Sequence, residues 1–231
     1  MRNCLKPMTK TRKNKAHIEN RWPVAREGLP FIISSGLIGV LLIFTGFPFY
    51  AIPVGIIFLF VTYFFRDPER RIHEHVNAVL TPADGTILNV RHIDDSKNPL
   101  GEPAYRISVF MSLFNVHVNR IPISGRILDI AYNPGKFFAA NLEKSSRQNE
   151  NNQITLLTDN GLKIVFIQIA GLVARRIACW VKEKDLVKSG QRCGLIRFGS
   201  RLDIYLPFGS RVITQPGNKV RAGETIIAYL P

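Results

Sequence analysis

The sequence predicts an α+β protein in which a hydrophobic helical hairpin at the N-terminus precedes a β-rich globular domain. Residues 29–65 contain no Asp, Glu, Lys or Arg, which suggests membrane helices. From residue 66 onward, short β-branched and aromatic runs alternate with Pro, Gly and Asn turns. Apolar residues form 46% of the 231 residues and charged residues 21%, so disordered and collagen-like proteins are excluded.

The first 28 residues form a basic segment. It holds eight Lys and Arg against two Glu and contributes +6 of the formal charge of +14. Such an excess predicts an anionic partner, either nucleic acid or an anionic membrane surface. Apart from Trp22 the segment lacks interleaved aromatic residues, and no nucleic-acid motif follows it. The sequence therefore favours a membrane and no nucleic acid.

The apolar segment is long enough for two short helices. Gly46, Pro48 and Pro53 lie near its middle and predict a turn, so we expect helices over 29–46 and 49–65. Basic residues on both sides place both ends on the cytoplasmic side of the cell membrane. Whether the hairpin spans the bilayer or dips into it stays open, and a buried helix pair in a soluble protein is the alternative.

Residues 66–231 form the predicted β-rich domain, punctuated by prolines. We expect helical or loop-like structure over 137–146 and 174–179, and an exposed loop over the polar stretch 145–152. The predicted strands are 85–90, 105–110, 125–130, 154–157, 163–169, 202–206 and 225–230.

A weak internal repeat lies near the C-terminus. Val187-Lys188-x-Gly190 and Val220-Arg221-x-Gly223 each precede an apolar run. This resembles the turn-and-strand pattern of biotinyl/lipoyl-type modules and predicts a barrel-sandwich-like domain. No lysine flanked by methionine accompanies the pattern, so a carrier function is not indicated.

Three cysteines, Cys4, Cys179 and Cys193, form no C-x-x-C pair. This spacing argues against a structural zinc site and against a disulfide framework. We therefore expect no metal.

Three residues are candidates for catalysis. Asp84 lies in a Pro-Ala-Asp-Gly turn, His117 lies between two valines in a predicted strand, and Ser200 follows Gly199 outside any G-x-S-x-G elbow. Each alone is as readily structural, since an aspartate caps turns and a strand histidine packs. Together they allow a Ser-His-Asp triad, and the residues by themselves lead to a membrane-anchored β-rich enzyme and no further.

Five segments follow one another behind the hairpin, and each carries polar residues between apolar ones. Together they resemble the phosphatidylserine decarboxylase family, in its short, archaetidylserine-decarboxylase-like (type A) subgroup, over residues 21–231. The segments are F-F-R-D-P-E-R (64–70), P-A-D-G (82–85), F-N-V-H-V-N-R (114–120), N-P-G-K-F (133–137) and R-F-G-S-R-L-D (197–203).

The resemblance implies a proenzyme that cuts itself between Gly199 and Ser200 into a β chain, 1–199, and an α chain, 200–231. Ser200 would attack the carbonyl of Gly199, His117 would take its proton and Asp84 would orient the imidazole. Ser200 would become a pyruvoyl cofactor, an electron sink for decarboxylating phosphatidylserine to phosphatidylethanolamine. The partners implied are an anionic phospholipid, the membrane, and the two chains of the protein itself.

One position departs from the family. Longer members carry two histidines three residues apart, whereas here Arg120 stands at the second position, which leaves open whether His117 serves both cleavage and decarboxylation. Arg120, Lys136, Arg197 and Arg201 are candidates for binding the lipid phosphate or the serine carboxylate, with solvated surface charge as the alternative. A non-catalytic, membrane-anchored lipoyl/biotinyl-like β-barrel binding module and a membrane serine hydrolase are the competing functions.

Overall fold

The computed structural model divides the chain into two compact units. Residues Asn20–Glu69 form a helical unit, and the described residues of Arg70–Pro231, together with Ile18 and Glu19, form a β-rich unit. The structure describes residues 18–20, 22–72, 75–94, 98–136, 138, 148–171, 176–197 and 199–231.

Two α-helices make up the helical unit: α1 (Leu29–Phe44), which follows a short 3-10 turn, and α2 (Pro48–Phe64). Pro30 lies in the first turn of α1 and Pro48 begins α2, positions where the missing N–H costs no helical hydrogen bond. Gly46 adopts a φ of +85° in the turn between the helices. The prediction of two N-terminal helices is confirmed, with each helix ending one or two residues earlier than expected.

Polar and backbone contacts close the base of the hairpin. The side-chain amide of Asn20 donates to the carbonyl oxygen of Val24 at 3.0 Å and to the carboxylate of Asp67 at 3.1 Å. The N–H of Ala25 donates to the carbonyl oxygen of Phe65 at 2.7 Å. Two residues of the F-F-R-D-P-E-R segment therefore join the chain entering α1 to the chain leaving α2.

Large apolar side chains of both helices are exposed. Leu37, Phe44, Phe49 and Leu59 are 65%, 85%, 78% and 67% exposed. By length and composition the helical stretch Arg26–Phe44 is apolar enough to cross a membrane, with a mean hydropathy of 2.0, whereas α2 is shorter. A core helix of a soluble protein would bury such side chains, but only 11% of this apolar window is buried.

Fourteen β-strands lie in the described part of the β-rich unit. Seven of them coincide with the seven predicted runs, which confirms those predictions, and the other seven are two to five residues long. The strands are β1 (Ala78–Leu80), β2 (Gly85–Ile93), β3 (Ala104–Met111), β4 (Val118–Arg120), β5 (Gly125–Asn133), β6 (Asn151–Thr158), β7 (Lys163–Ala170), β8 (Ile177–Cys179), β9 (Leu186–Val187), β10 (Arg192–Ile196), β11 (Ser200–Pro207), β12 (Arg211–Val212), β13 (Lys219–Val220) and β14 (Ile226–Tyr229).

Within the described residues these strands form one large sheet and two small ones. The eight-stranded sheet has the order β13-β2-β3-β11-β7-β6-β5-β9, and the three-stranded sheets have the orders β1-β14-β12 and β4-β10-β8. All pairings between these strands are antiparallel. A mostly β unit behind two helices confirms the α+β class.

Strand β11 lies in the middle of the large sheet and is buried along its whole length. Leu202 and Ile204 join the main apolar core, whereas Tyr205 packs with Val165 and Ile167 in a second cluster. Successive side chains of a strand point to opposite faces, so both faces of the sheet are covered at this strand.

Two local predictions need correction. Residues Ile177–Cys179 form strand β8, so the helical or loop-like prediction for 174–179 is wrong there. The exposed loop predicted over 145–152 is wrong from Asn149 onward, because Asn149 and Glu150 are buried and β6 begins at Asn151. The prediction for 137–146 lies outside the described residues except at Phe138, which is in neither a helix nor a strand.

Candidate active site

The predicted cleavage junction lies at the start of β11. Ser200 is the first residue of that strand, is buried, and stands opposite Met111 of β3 and Ala170 of β7. Gly199 adopts a φ of +62°, a left-handed conformation that costs other L-residues about 1–2 kcal/mol. A Cβ at Gly199 would meet no described atom within 4 Å. Glycine is therefore favoured here by its backbone conformation and not by a lack of room for a side chain.

His117 lies between β3 and β4 and is buried. Its Nδ1 is 2.9 Å from the backbone carbonyl oxygen of Asn115. A carbonyl oxygen only accepts, so Nδ1 carries the proton of the neutral ring and Nε2 carries the basic lone pair. The carbonyl oxygen of His117 also accepts from the N–H of Ile196, at 3.3 Å, in the strand before the cleavage junction. This tautomer leaves Nε2 able to act as a general base.

A turn fixed by its own side chains leads from β3 to His117. The Oδ1 of Asn115 accepts from both the N–H and the hydroxyl of Ser112, each at 2.8 Å. The N–H of Asn115 in turn donates to the carbonyl oxygen of Ser112 at 3.1 Å. Asn115, the second residue of the F-N-V-H-V-N-R segment, therefore holds the backbone that carries His117.

A buried polar chain runs from Ser200 into the sheet. The Ser200 hydroxyl lies 3.8 Å, and the Asn119 amide nitrogen 3.6 Å, from the sulfur of Met111. The Oδ1 of Asn119 accepts from Gln168 at 2.8 Å, and the Oε1 of Gln168 accepts from Asn152 at 2.9 Å. Sequence reasoning missed these residues, although Asn119 lies in the same segment as His117.

Asp84 does not contact His117 among the described hydrogen bonds. Its carboxylate accepts two hydrogen bonds from Arg70, at 2.8 and 3.0 Å, and one from the N–H of Ala222 at 2.7 Å. The turn that carries Asp84 does approach the histidine segment, because the carbonyl oxygen of Pro82 accepts from the N–H of Arg120 at 2.9 Å. The described hydrogen bonds thus link the turn of Asp84 to the histidine strand through the backbone of Pro82 and Arg120.

Two of the four candidate substrate-binding cations are buried. Nη1 of Arg120 donates to the carbonyl oxygen of Gly190 at 2.9 Å. Arg201 lies on the opposite face of β11 from the candidate nucleophile, and its guanidinium donates twice to Asp203, at 2.6 and 3.0 Å. Both guanidinium groups therefore make hydrogen bonds in the protein interior.

The other two cations are more accessible. Lys136 is exposed, and its backbone bridges the segment that contains Asn149. Arg197 is half-buried, and its N–H donates to the carbonyl oxygen of Arg176 at 3.3 Å.

The N-P-G-K-F segment packs closely against residues 148–150. A Cβ at Gly135 would lie 2.5 Å from backbone atoms of that stretch, so only glycine permits the approach. The amide of Asn149 donates to the carbonyl oxygen of Phe138 at 2.8 Å and to that of Ala170 at 2.7 Å. Since Ala170 stands opposite Ser200, this segment supports the strand beside the cleavage junction.

These features suit a chain that cuts its own backbone. A serine attacks a neighbouring carbonyl only when a base takes its proton, and the peptide must be held in an accessible, bent geometry. A left-handed glycine before a buried serine, with an imidazole on a fixed turn, is the arrangement expected of a self-processing proenzyme.

Comparison with known proteins identifies the family. The phosphatidylserine decarboxylase family model matches residues 57–228. The chain is 46% identical over 203 residues to the phosphatidylserine decarboxylase proenzyme of Syntrophus aciditrophicus, covering 87% of this chain and 95% of that protein. It is 47% identical over 211 residues to the proenzyme of the same name from Desulfotalea psychrophila, covering 90% and 97%.

The chain belongs to the phosphatidylserine decarboxylase family. The alignments cover nearly the full length of these relatives, which shows that the resemblance extends well beyond the individual segments.

Proposed function

We propose that the chain is made as a phosphatidylserine decarboxylase proenzyme, which cuts itself between Gly199 and Ser200 and then converts phosphatidylserine to phosphatidylethanolamine in phospholipid biosynthesis. The observation that carries the proposal is the left-handed glycine before a buried serine at the head of β11. It occurs in a chain 46% identical to proteins named as proenzymes of this enzyme.

Self-cleavage begins at Ser200. Its Oγ attacks the carbonyl carbon of Gly199 while Nε2 of His117 takes the hydroxyl proton, so the Gly199–Ser200 C–N bond breaks and an ester forms. Loss of the Ser200 Cα proton then breaks the Cβ–Oγ bond and releases Gly199 as a carboxylate. Water replaces the nitrogen of the new N-terminus, which leaves as ammonia, and a pyruvoyl group remains.

The residues around the junction fit such a group. Ser200 is buried against the main core, where bulk water is excluded, and β3 and β7 hold its backbone on both sides. When formed, the pyruvoyl group supplies an electron sink for loss of the carboxylate. His117 is the candidate that returns a proton to the product carbon, since an imidazole nitrogen can both take up and release a proton.

Asp84 is proposed to orient His117, and its own position is held by the residues around it. Its carboxylate is held by Arg70 and Ala222, and its turn is hydrogen-bonded to the N–H of Arg120. We assign to Asp84 the task of fixing this turn against the strand that follows His117. Among the four cations, Lys136 and Arg197 suit the lipid phosphate best because they are more accessible, and Arg120 suits a carboxylate near the histidine.

The helical hairpin is proposed to anchor the enzyme at the cytoplasmic face of the cell membrane. Its exposed apolar side chains and the apolar stretch Arg26–Phe44 support this location. A diacyl phospholipid stays in the bilayer, so an anchored enzyme meets its substrate there.

The α chain produced by cleavage is proposed to stay bound to the β chain. It supplies β11 to the centre of the large sheet, and β14 to a sheet with β1. The two small sheets also support the finer proposal of a barrel-sandwich-like fold. In each of them one strand, β12 or β8, is followed in the chain by an edge strand of the large sheet, β13 or β9.

Intact mass spectrometry of the purified protein tests the proposal. We expect two fragments, 1–199 and 200–231, the smaller one blocked at its N-terminus and lacking the serine nitrogen. Ser200→Ala should stay full-length, whereas Ser210→Ala, which removes another buried hydroxyl of the α chain, should be processed normally. An intact wild-type chain would contradict self-processing and favour the binding module. Labelling of Ser200 by a serine-directed probe would favour a hydrolase.

A further inference from the structure

We propose that Arg70 is a positioning residue for self-processing. It holds Asp84 in a polar clamp, whose residues come from both sides of the cleavage site in the sequence. The inference rests on the proposed function. Arg70 ends the F-F-R-D-P-E-R segment, whose side chains the cleavage chemistry does not use.

The contact between Arg70 and Asp84 is buried and engages the whole carboxylate. Nη2 of Arg70 lies 3.0 Å from Oδ1 and 2.8 Å from Oδ2, and the two side chains are 8% and 11% exposed. Charge-assisted hydrogen bonds of this kind are about twice as strong as neutral ones. The carboxylate of Asp84 therefore has its position set by Arg70.

The clamp also includes the turn before β14. Oδ1 of Asp84 accepts from the N–H of Ala222 at 2.7 Å. Nη1 of Arg70 lies 3.6 Å from Oε2 of Glu224, and the N–H of Arg71 donates to Oε1 of the same side chain at 3.3 Å. Residues 222–224 belong to the α chain after cleavage, whereas Arg70 and Asp84 belong to the β chain. The clamp therefore joins the α chain to the β chain after cleavage.

The clamp reaches the histidine strand through Arg120. The N–H of Arg120 donates to Pro82 in the Asp84 turn. A Cβ at Gly223 would lie 2.9 Å from Cδ of Arg120, so the turn before β14 also packs on this side chain. Both turns held by Arg70 thus contact the residue that ends β4, the strand directly after His117. Loss of Arg70 should misplace the base relative to Ser200.

The test follows the cleavage of newly made full-length chain in cell-free synthesis with detergent, by intact mass spectrometry over time. We expect Arg70→Ala to cleave at least tenfold more slowly than the wild type. Arg70→Lys should be intermediate, because an ammonium is a point charge without the planar fork of a guanidinium. Arg71→Ala is the matched control: Arg71 is exposed and its described contact with the clamp is made by its backbone N–H, so this variant should cleave at the wild-type rate.

Chemical rescue separates positioning from folding. Millimolar guanidinium should restore cleavage of Arg70→Ala, whereas sodium chloride at equal ionic strength should not. A merely destabilised protein would gain nothing from guanidinium, which denatures proteins. Cleavage of Arg70→Ala at the wild-type rate, or slow cleavage that guanidinium does not restore, would overturn the inference. If Arg70→Ala precipitates, the cleavage rates of Arg70→Lys and Arg71→Ala are compared instead. Slower cleavage of Arg70→Lys supports the inference, and equal rates overturn it. An intact wild-type chain would overturn self-processing itself, and the inference with it.

Discussion

Asp84 and Ser124 occupy equivalent positions in two halves of the β-rich unit. Oδ1 of Asp84 accepts from the N–H of Ala222 at 2.7 Å, and Oγ of Ser124 accepts from the N–H of Ser189 at 2.9 Å. Each acceptor lies in a P-x-x-G turn and each donor lies in a turn that ends in glycine. The two sets of turns therefore form an internal repeat, in which only one copy carries a carboxylate.

The sheets have the same symmetry. The large sheet divides between β11 and β7 into β13-β2-β3-β11 and β9-β5-β6-β7, and each half is joined by a small sheet, β1-β14-β12 or β4-β10-β8. A Cβ at Gly85 or at Gly125 would lie 2.1 Å from a carbonyl oxygen of the neighbouring strand. Strands β4–β10 thus form one copy, inserted between β3 and β11 of the other. The proposed cut falls where the chain returns from the inserted copy to the first.

Gly199→Ala tests the left-handed geometry of the cleavage junction. A Cβ there meets no described atom within 4 Å, so its effect comes from φ of +62° alone. A cost of about 1–2 kcal/mol predicts cleavage slower by roughly 5- to 30-fold. The control is Gly161→Ala, which has φ of +78° and equally open space in the turn between β6 and β7. It should lose similar stability yet cleave at the wild-type rate. Equal cleavage rates for the two variants would contradict a role for the backbone of Gly199.

His117→Gln tests the general base. Glutamine retains a hydrogen-bonding side chain but cannot take a proton, and loss of a general base costs about 10²–10⁴-fold in rate. We expect the variant to accumulate as full-length chain in the intact mass spectrum. His92→Gln is the control, because His92 is partly exposed on β2 beside Asp94. Rapid cleavage of His117→Gln would assign the proton transfer to another group.

The sequence predicts the longer strands well and the short ones poorly. Strands such as β3 and β7 are dense in β-branched and aromatic residues, whereas β9 and β13 have two residues each and leave no pattern. The repeat was predicted only from Val187–Gly190 and Val220–Gly223. The remainder of the repeat was not predicted, because one copy is inserted into the other. Sequence order does not show which distant strands pair.

The residues of the candidate site stay predictions, and the sequence did not reveal their contacts. That Asp84 orients His117 stays a prediction. Its pairing with Arg70 is a contact that a linear pattern cannot reveal. Asn149 was placed in an exposed loop because its neighbours are polar. In the structure its side chain also accepts a hydrogen bond from the N–H of Phe138 at 2.8 Å and donates to the carbonyl oxygen of Ala170. An amide with its hydrogen bonds satisfied is readily buried.

Gln168→Leu tests the polar chain behind Ser200. The change leaves the Oδ1 of Asn119 and the Nδ2 of Asn152 without their partner in a buried site, which costs about 1–3 kcal/mol for each group. Chemical denaturation of the unprocessed Ser200→Ala background should show this loss. Asn133→Ala, which removes an exposed amide pair, should change stability by less than about 0.5 kcal/mol. Equal stability of both variants would mean that water replaces the lost partners.

The buried thiol of Cys193 should resist alkylation. Burial raises the pKa of Cys193 well above its ordinary value, and burial also raises the pKa of Cys179. A raised pKa keeps the thiol protonated to higher pH, and only the thiolate reacts quickly. Iodoacetamide at pH 8 should therefore leave Cys193 unmodified in the folded protein and label it after denaturation, as read by peptide mass spectrometry. Rapid labelling of Cys193 in the folded protein would show that β10 opens readily.

Substitutions at Arg201 and Asp203 test whether Arg201, a predicted substrate-binding residue, instead only stabilises the protein interior. Both side chains are buried and paired at 2.6 Å. Removing one member, as in Asp203→Leu, leaves a buried unpaired charge and should cost about 3–5 kcal/mol. Replacing both, as in Arg201→Met with Asp203→Leu, should recover most of that stability, because apolar pairs of similar volume often match a buried ion pair. If Arg201 only holds the interior, the double variant should cleave itself and decarboxylate phosphatidylserine with an unchanged KM. A stable, processed double variant with a strongly raised KM would instead return Arg201 to the substrate site.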